Sequence, residues 1–278
     1  MRDAMRRKTM ESEVDNVIKQ LRHPKEKVYG ALMYVFGVLG WVAIVGIVAL
    51  ASRAPEARGL IVILIEIAVF ALVYALIRIF YRAHMFGHYV LLGPDQFPQL
   101  HAMVEKGAAT LGLAKTPEAF VYNSNGMMNA FAMRIFGRRY VMLTSALIDA
   151  DNDEQVRFVI GHELGHHAAG HLSFWRNLIK FPGHFTPFLG AAYSRARELT
   201  CDRAGAYLAQ NLDASRGALQ MLACGSARLN AQMNRQAFEA QEAMVPPITG
   251  LIKHVFSHYP RHTARVKALS VYFAQPAA

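Results

Sequence analysis

An α+β, mainly helical fold with a small β-sheet, preceded by a two-helix transmembrane hairpin, is predicted from three observations. Two long apolar blocks lie close together near the N-terminus, short strand-like runs fall between 119 and 148, and most of the chain after 150 has helical spacing. The composition agrees, with 53% hydrophobic and only 18% charged residues among 278.

The first block, Val28 to Ala51, runs 24 residues without a charge. At about 1.5 Å per residue, a helix of that length crosses a hydrocarbon core of about 30 Å. The second, Gly59 to Ile77, holds 19 residues interrupted only by Glu66. Residues 52–58 join them, so spans at 28–51 and 59–77 make a hairpin within a membrane segment 28–82. A carboxylate at mid-membrane costs about 2.5–3.5 kcal/mol, so Glu66 is expected to face the partner helix or to be protonated. Ala49-Leu50-Ala51 looks like a cleavage site, but the apolar run is too long for a signal peptide and a second span follows at once.

Arg2, Arg6, Arg7, Lys8, Lys19, Arg22, Lys25 and Lys27 precede the first span and Arg78 and Arg82 follow the second, against Arg53 and Arg58 in the connecting loop. This bias puts the basic segment 1–27 and the domain 88–278 on the cytoplasmic side. The net charge of +10 lies largely in these flanks, where anionic lipid headgroups attract it. No nucleic-acid motif accompanies it, so no nucleic-acid partner is expected. Cys201 and Cys224 are the only cysteines, which excludes a disulfide framework of the secreted type.

Asp95 to Leu111 has helical spacing, with Pro94 before it and Gly112 after it. "AFVYNS" (119–124) reads as a strand, and "NAFAMRIFGRRYVMLTSALI" (129–148) as two more joined by a turn at Gly137-Arg138. Asp151 to Glu154 is an acidic helix start, continued by a helix over 156–172. Phe174 to Tyr193 is apolar but broken by Arg176, Lys180, Pro182, His184 and Pro187. It predicts short helices or a lip against the membrane surface beside a substrate cleft. A long helix from Ser194 to about Leu222, a polar segment with methionines, and a terminal helix opened by Pro260 complete the chain.

The chemistry concentrates in "FVIGHELGHHAAGHL" (158–172), where four histidines and a glutamate sit among apolar residues. His162, Glu163 and His166 form HExxH. Four helical residues turn through about 400°, so both imidazoles share one face and reach one zinc ion, with Glu163 beside them as general base. After His166, Gly170 and His171 fall one place out of step with a metzincin pattern. On a regular helix His171 lies on the face opposite His162, and His167 is turned about 100° from His166, so both are expected to be surface or packing residues. "SRARELTCD" (194–202) sets Glu198 and Asp202 on one face of the next helix. Beside HExxH, Glu198 is the expected third ligand and Asp202 the acceptor that orients a ligand imidazole. Without that motif, pairing with Arg195 and Arg197 on a solvated face would be the better explanation of both acids.

Together these residues resemble the HtpX-like and CAAX prenyl protease family of membrane zinc metallopeptidases. "HELGHHAAGH" is similar to the family's active helix, "SRARELTCD" to its SRxxExxAD element, "NAFA" (129–132) to the segment before its edge strand, and "GPDQFPQLHAMVEKGAATLGL" (93–113) to its leading helix. The resemblance implies a zincin-type, gluzincin domain with one Zn2+ per chain on His162, His166 and Glu198, and Glu163 as base. It also implies an integral protein of a bacterial inner membrane. The strand "YVMLTSAL", with Val141 and Leu143, would be the edge that takes a substrate peptide as an added strand. Asn129 would hold substrate backbone, though turn formation explains it as well. Three departures stand out. Cys201 replaces an alanine, Tyr259-Pro260 replaces the late His-Pro pair, and the 174–193 insert is too broken for a further pair of spans. Tyr259 is the expected oxyanion donor, with His258 and His262 as rivals.

The expected activity is that of a membrane-anchored zinc-dependent metalloendopeptidase acting on polypeptides, either membrane-associated or misfolded, at the bilayer. A catalytically silent zinc-stabilised scaffold is the alternative, and Glu163 argues against it because a structural site needs no base. A protease of prenylated peptides would need an intramembrane chamber that two spans enclose only on oligomerisation, which is left open.

Overall fold

The computed structural model describes residues 17–52 and 58–274; Arg2, Arg6, Arg7, Lys8, Arg53 and the last four residues lie outside them. The first apolar block forms α1 (Pro24–Ala51). His23 caps it by accepting from the Lys25 amide, and Pro24 occupies the first turn, where a missing N–H costs nothing. The second forms α2 (Arg58–His88), which runs on well past residue 77. Both are long and apolar enough to cross a membrane. Among the described residues they do not pack along one another, and Glu66 is exposed on α2 rather than turned to a partner helix.

The sheet has four strands: β1 (Val90–Leu91), β2 (Glu118–Tyr122), β3 (Ala130–Ile135) and β4 (Arg138–Thr144), in the order β1-β2-β4-β3. β2 runs parallel to β4, whereas β3 and β4 form a hairpin with Ala132 opposite Val141. Its turn needs a left-handed residue, which Gly137 supplies at φ 82°. β4 is therefore interior. The expectation that "YVMLTSAL" is the edge fails, because β2 docks in parallel on the side of β4 away from its hairpin partner β3, leaving neither backbone edge of β4 free. Val141 and Leu143 are fully buried and cannot touch a substrate; the edge beside the site is β3.

Alternation along β4 sends Val141 and Leu143 to one side of the sheet and Tyr140 and Met142 to the other. The first side meets the helical layer: α3 (Pro98–Thr110), α4 (Ser145–Ala150), α5 (Asp153–Ala168), α6 (Phe174–Lys180), α7 (Leu189–Ala209) and α8 (Leu212–Cys224). The main core joins Val104 of α3, Ile160 and Leu164 of α5, Ala204 of α7 and Leu219 of α8. The second side is covered by the end of α2, where Met85 is fully buried against Phe120, Tyr140 and Met142. Burying one such side chain stabilises by about 2 kcal/mol. The chain closes with α9 (Ala227–Gln232), α10 (Arg235–Ala240), α11 (Pro247–Phe256) and α12 (His262–Phe273).

Two helices are shorter than the spacing predicts. α5 stops at Ala168, and Gly170 turns the chain at φ 75°. The single helix expected over 194–222 is two, broken where Gln210 takes a left-handed φ of 49° and the Asn211 side chain caps α8 by accepting from the Ala214 amide. Capping by asparagine is worth about 1 kcal/mol and competes with helix continuation. The 174–193 insert consists of α6, a 3-10 turn (Phe181–Phe185) and the start of α7.

Candidate metal centre

α5 and α7 cross at the middle of the domain, and small residues let them approach. A Cβ on Gly161 would lie 2.8 Å from the Gly205 Cα, one on Gly165 2.9 Å from the Ala204 Cβ, and one on Gly205 2.5 Å from the Phe158 carbonyl oxygen. Gly161 directly precedes His162 and Gly165 directly precedes His166, so the contact strip lies beside the ligand face. The start of α5 is fixed by a capping box, in which the Asn152 side chain accepts from the Gln155 amide and the Gln155 side chain accepts from the Asn152 amide.

Across this contact three predicted side chains converge. Glu198 Oε2 is 3.3 Å from His162 Nε2, and Glu198 Oε1 is 3.7 Å from His166 Nε2. Tetrahedral bonds of about 2.0–2.1 Å set ligand atoms about 3.3–3.5 Å apart, so the spacing suits zinc. Glu198 Oε2 is buried without a hydrogen-bond partner, a costly state that a cation would relieve. The electrostatics agree. Burial opposes a charged His162, yet the hydrogen bond to Asp202 and the nearby Glu198 carboxylate raise its pKa to about 10. Burial likewise opposes a charged Glu198, yet His162 holds it down at about 2. The pocket thus favours positive charge between these groups.

Asp202 lies behind His162. His162 Nδ1–H donates to Asp202 Oδ1 at 3.0 Å, which fixes the tautomer that leaves Nε2 free. Arg265 donates to both Asp202 oxygens, at 2.9 and 2.6 Å, and against the effect of burial holds that carboxyl well below its usual range. Glu163 is buried beside the ligands. Burial raises its pKa to about 7, and the Ala132 backbone amide of β3 faces its carboxylate.

Cys201 Sγ also falls within 4.8 Å of ligand atoms of His162 and His166. Burial raises its thiol pKa well above the usual range. It sits 3.6 Å from His171 Nδ1, on the side of the imidazoles away from Glu198.

Tyr259 reaches the site. Its phenol pKa is raised by burial and then by the Glu198 carboxylate, and its ring lies 5.9 Å from the Arg265 guanidinium. His258 is exposed and sits near His184 instead. His262 lies near Arg265 and Asp202, with Nδ1 buried and unpartnered. Asn129 is exposed just before β3; its backbone exchanges hydrogen bonds with Thr144, at 3.0 Å to the hydroxyl and 3.1 Å from the amide, and its side chain is not drawn into the ligand cluster. His167 is a packing residue bonded through Nε2 to the Tyr140 carbonyl at 2.9 Å.

His171 is the departure. It is buried, and its Nδ1 stands 3.1 Å from His166 Nδ1, because the turn after Ala168 folds it back instead of carrying it round a regular helix to the opposite face. The one sequence signal for this is Gly170, a helix-ending residue inside the expected span.

Residues 94–180 match Peptidase family M48. The match takes in α3, the sheet beyond β1 and α5 with His162, Glu163 and His166. The chain is also similar to an Arabidopsis thaliana protein named "Plastoglobule-localized metallopeptidase 48, chloroplastic", with 28% identity over 170 residues, covering 56% of this chain and 48% of that protein. The chain thus spans about half the length of the curated relative it matches.

Proposed function

We propose that the chain is a membrane-anchored, zinc-dependent metalloendopeptidase of the gluzincin type, akin to the HtpX-like and CAAX prenyl protease group. The observation that carries this is the convergence, beside Glu163, of His162 Nε2, His166 Nε2 and the Glu198 carboxylate, whose Oε2 lacks a hydrogen-bond partner. The M48 match over the same helix, and a relative named as a metallopeptidase, support it.

His162, His166 and Glu198 would hold the ion, which when bound supplies a Lewis acid that polarises the scissile carbonyl and acidifies a water. Glu163, with a pKa near neutrality, takes the proton from the attacking water on its carboxylate and passes it to the leaving amine nitrogen. Tyr259 donates its hydroxyl to the developing oxyanion. A substrate strand adds to β3, the free edge next to Glu163, through backbone hydrogen bonds.

Substrates are membrane-associated or misfolded polypeptides, with the domain on the cytoplasmic face of a bacterial inner membrane. Two features support a membrane-side location: the apolar helices, and the exposed Phe174, Trp175, Phe181 and Phe185 of the insert with Ile248, Leu251 and Phe256 of α11.

The test is bound zinc and casein cleavage by detergent-purified protein. Glu163→Gln should keep the metal and lose at least about 100-fold in cleavage rate, within the usual contribution of a general base. Equal cleavage by both proteins would remove Glu163 from the mechanism. Glu198→Gln should lower metal content, and full occupancy would strike it from the ligands.

A further inference from the structure

Each ligand imidazole has its Nδ1 occupied from behind, but by different means. Behind His162 stands a carboxylate paired with arginine, Asp202 with Arg265. Behind His166 stands another imidazole. His171 Nδ1 is 3.1 Å from His166 Nδ1, and His171 Nε2 is 3.1 Å from Glu26 Oε1. Glu26 belongs to the first turn of α1, 145 residues away in sequence, and its side chain is completely buried. Arg22 pairs with the Glu26 carboxylate and donates to the Ala169 carbonyl at 2.8 Å, tying it to the turn that carries His171. The His171 carbonyl is itself held by the Asn177 amide at 2.9 Å.

Hydrogen-bond direction along this chain has one solution once His166 Nε2 must carry a lone pair. His166 then bears its proton on Nδ1 and donates to His171 Nδ1, so His171 bears its own on Nε2 and donates to Glu26, which as a carboxylate only accepts. We propose that His171 and Glu26 are positioning residues for His166, so that the helix anchoring the protein in the membrane also sets the tautomer of a metal ligand. This rests on the metal-centre reading above.

The test measures zinc affinity by chelator competition on full-length protein in detergent. Glu26→Leu and His171→Phe should each weaken zinc binding about 10–100-fold, the usual cost of losing such a partner. Glu26→Gln, whose amide oxygen still accepts from His171, should restore binding to within about threefold of wild type. Wild-type affinity in both Glu26→Leu and His171→Phe would overturn the inference. Wild-type protein that binds no zinc would instead overturn the metal centre. Should the variants fail to fold, 15N histidine spectra of the zinc-loaded wild type decide: His166 protonated on Nδ1 and His171 on Nε2 is expected, and His171 protonated on Nδ1 overturns the proposal.

Discussion

α1 and α2 are near equals as sequences, at 28 and 31 residues and similarly apolar, yet they relate to the domain in opposite ways. α2 exposes most of its apolar side chains until Tyr81 and Met85, where it reaches the sheet, with Arg82 Nε donating to the Tyr140 hydroxyl at 3.0 Å. α1 is stitched in from its first turn. Glu26 joins the histidines, Met33 is fully buried with Leu189 and Tyr193, and Gly37 and Gly40 press against Ile179 and Pro182. The Trp41 indole then donates to the Leu178 carbonyl at 2.8 Å. Just before α1, Ile18 and Leu21 enter the main core and the His23 amide donates to Thr200 of α7 at 3.0 Å. Apolarity fits a helix for the bilayer. Small and polar residues on one stripe decide whether it is also part of the enzyme.

The strongest way to break this comparison is replacement. Exchanging 28–45 for leucines should abolish a cooperative unfolding transition in detergent, whereas exchanging 61–77 should leave the midpoint within a few degrees of wild type. Equal loss in both would mean that α2 has an unseen partner. A finer version uses single glycines. Gly37→Ala places a methyl 2.3 Å from the Ile179 carbonyl oxygen and should destabilise by about 1–3 kcal/mol, as overpacking does, while Gly46→Ala, with open space around it, should change stability by less than about 0.5 kcal/mol.

A pH-dependent effect serves as a control away from both helices. Burial, with one carboxylate oxygen lacking a partner, raises the Asp151 pKa to about 7. Between about pH 4 and 7 the folded state therefore holds a proton that the unfolded state has lost, and stability falls as pH rises. Asp151→Asn should flatten that slope, gaining on the order of 1–3 kcal/mol over wild type by pH 8 and nothing near pH 4. Parallel stability curves for the two proteins would show that Asp151 ionises normally.

Both long apolar helices, the β-hairpin turn at Gly137 and the pairing of His162, His166 and Glu198 were legible because each rests on a local period or spacing. Strand order was not. Nothing in "YVMLTSAL" alone distinguishes an interior strand from an edge, since that depends on where the distant β2 docks. The break at Gln210 was hidden because Asn211 reads as an ordinary helix residue until its side chain turns back as a cap. His171 was assigned by the angle of a regular helix, and the helix had already ended. Gly161 and Gly165 stood in plain view inside the motif, but their use appears only with Gly205 opposite them.

A soluble fragment starting at residue 89 would seem the natural route to crystals or a simple assay. Such a cut leaves His171 facing a hole where a carboxylate belongs and strips Ile18 and Leu21 out of the interior, so low activity in that fragment would report on surgery rather than on the intact chain. It also means that swapping α1 for another protein's apolar helix, a common recipe for moving proteins between membranes, would remove the carboxylate that meets His171 along with the address.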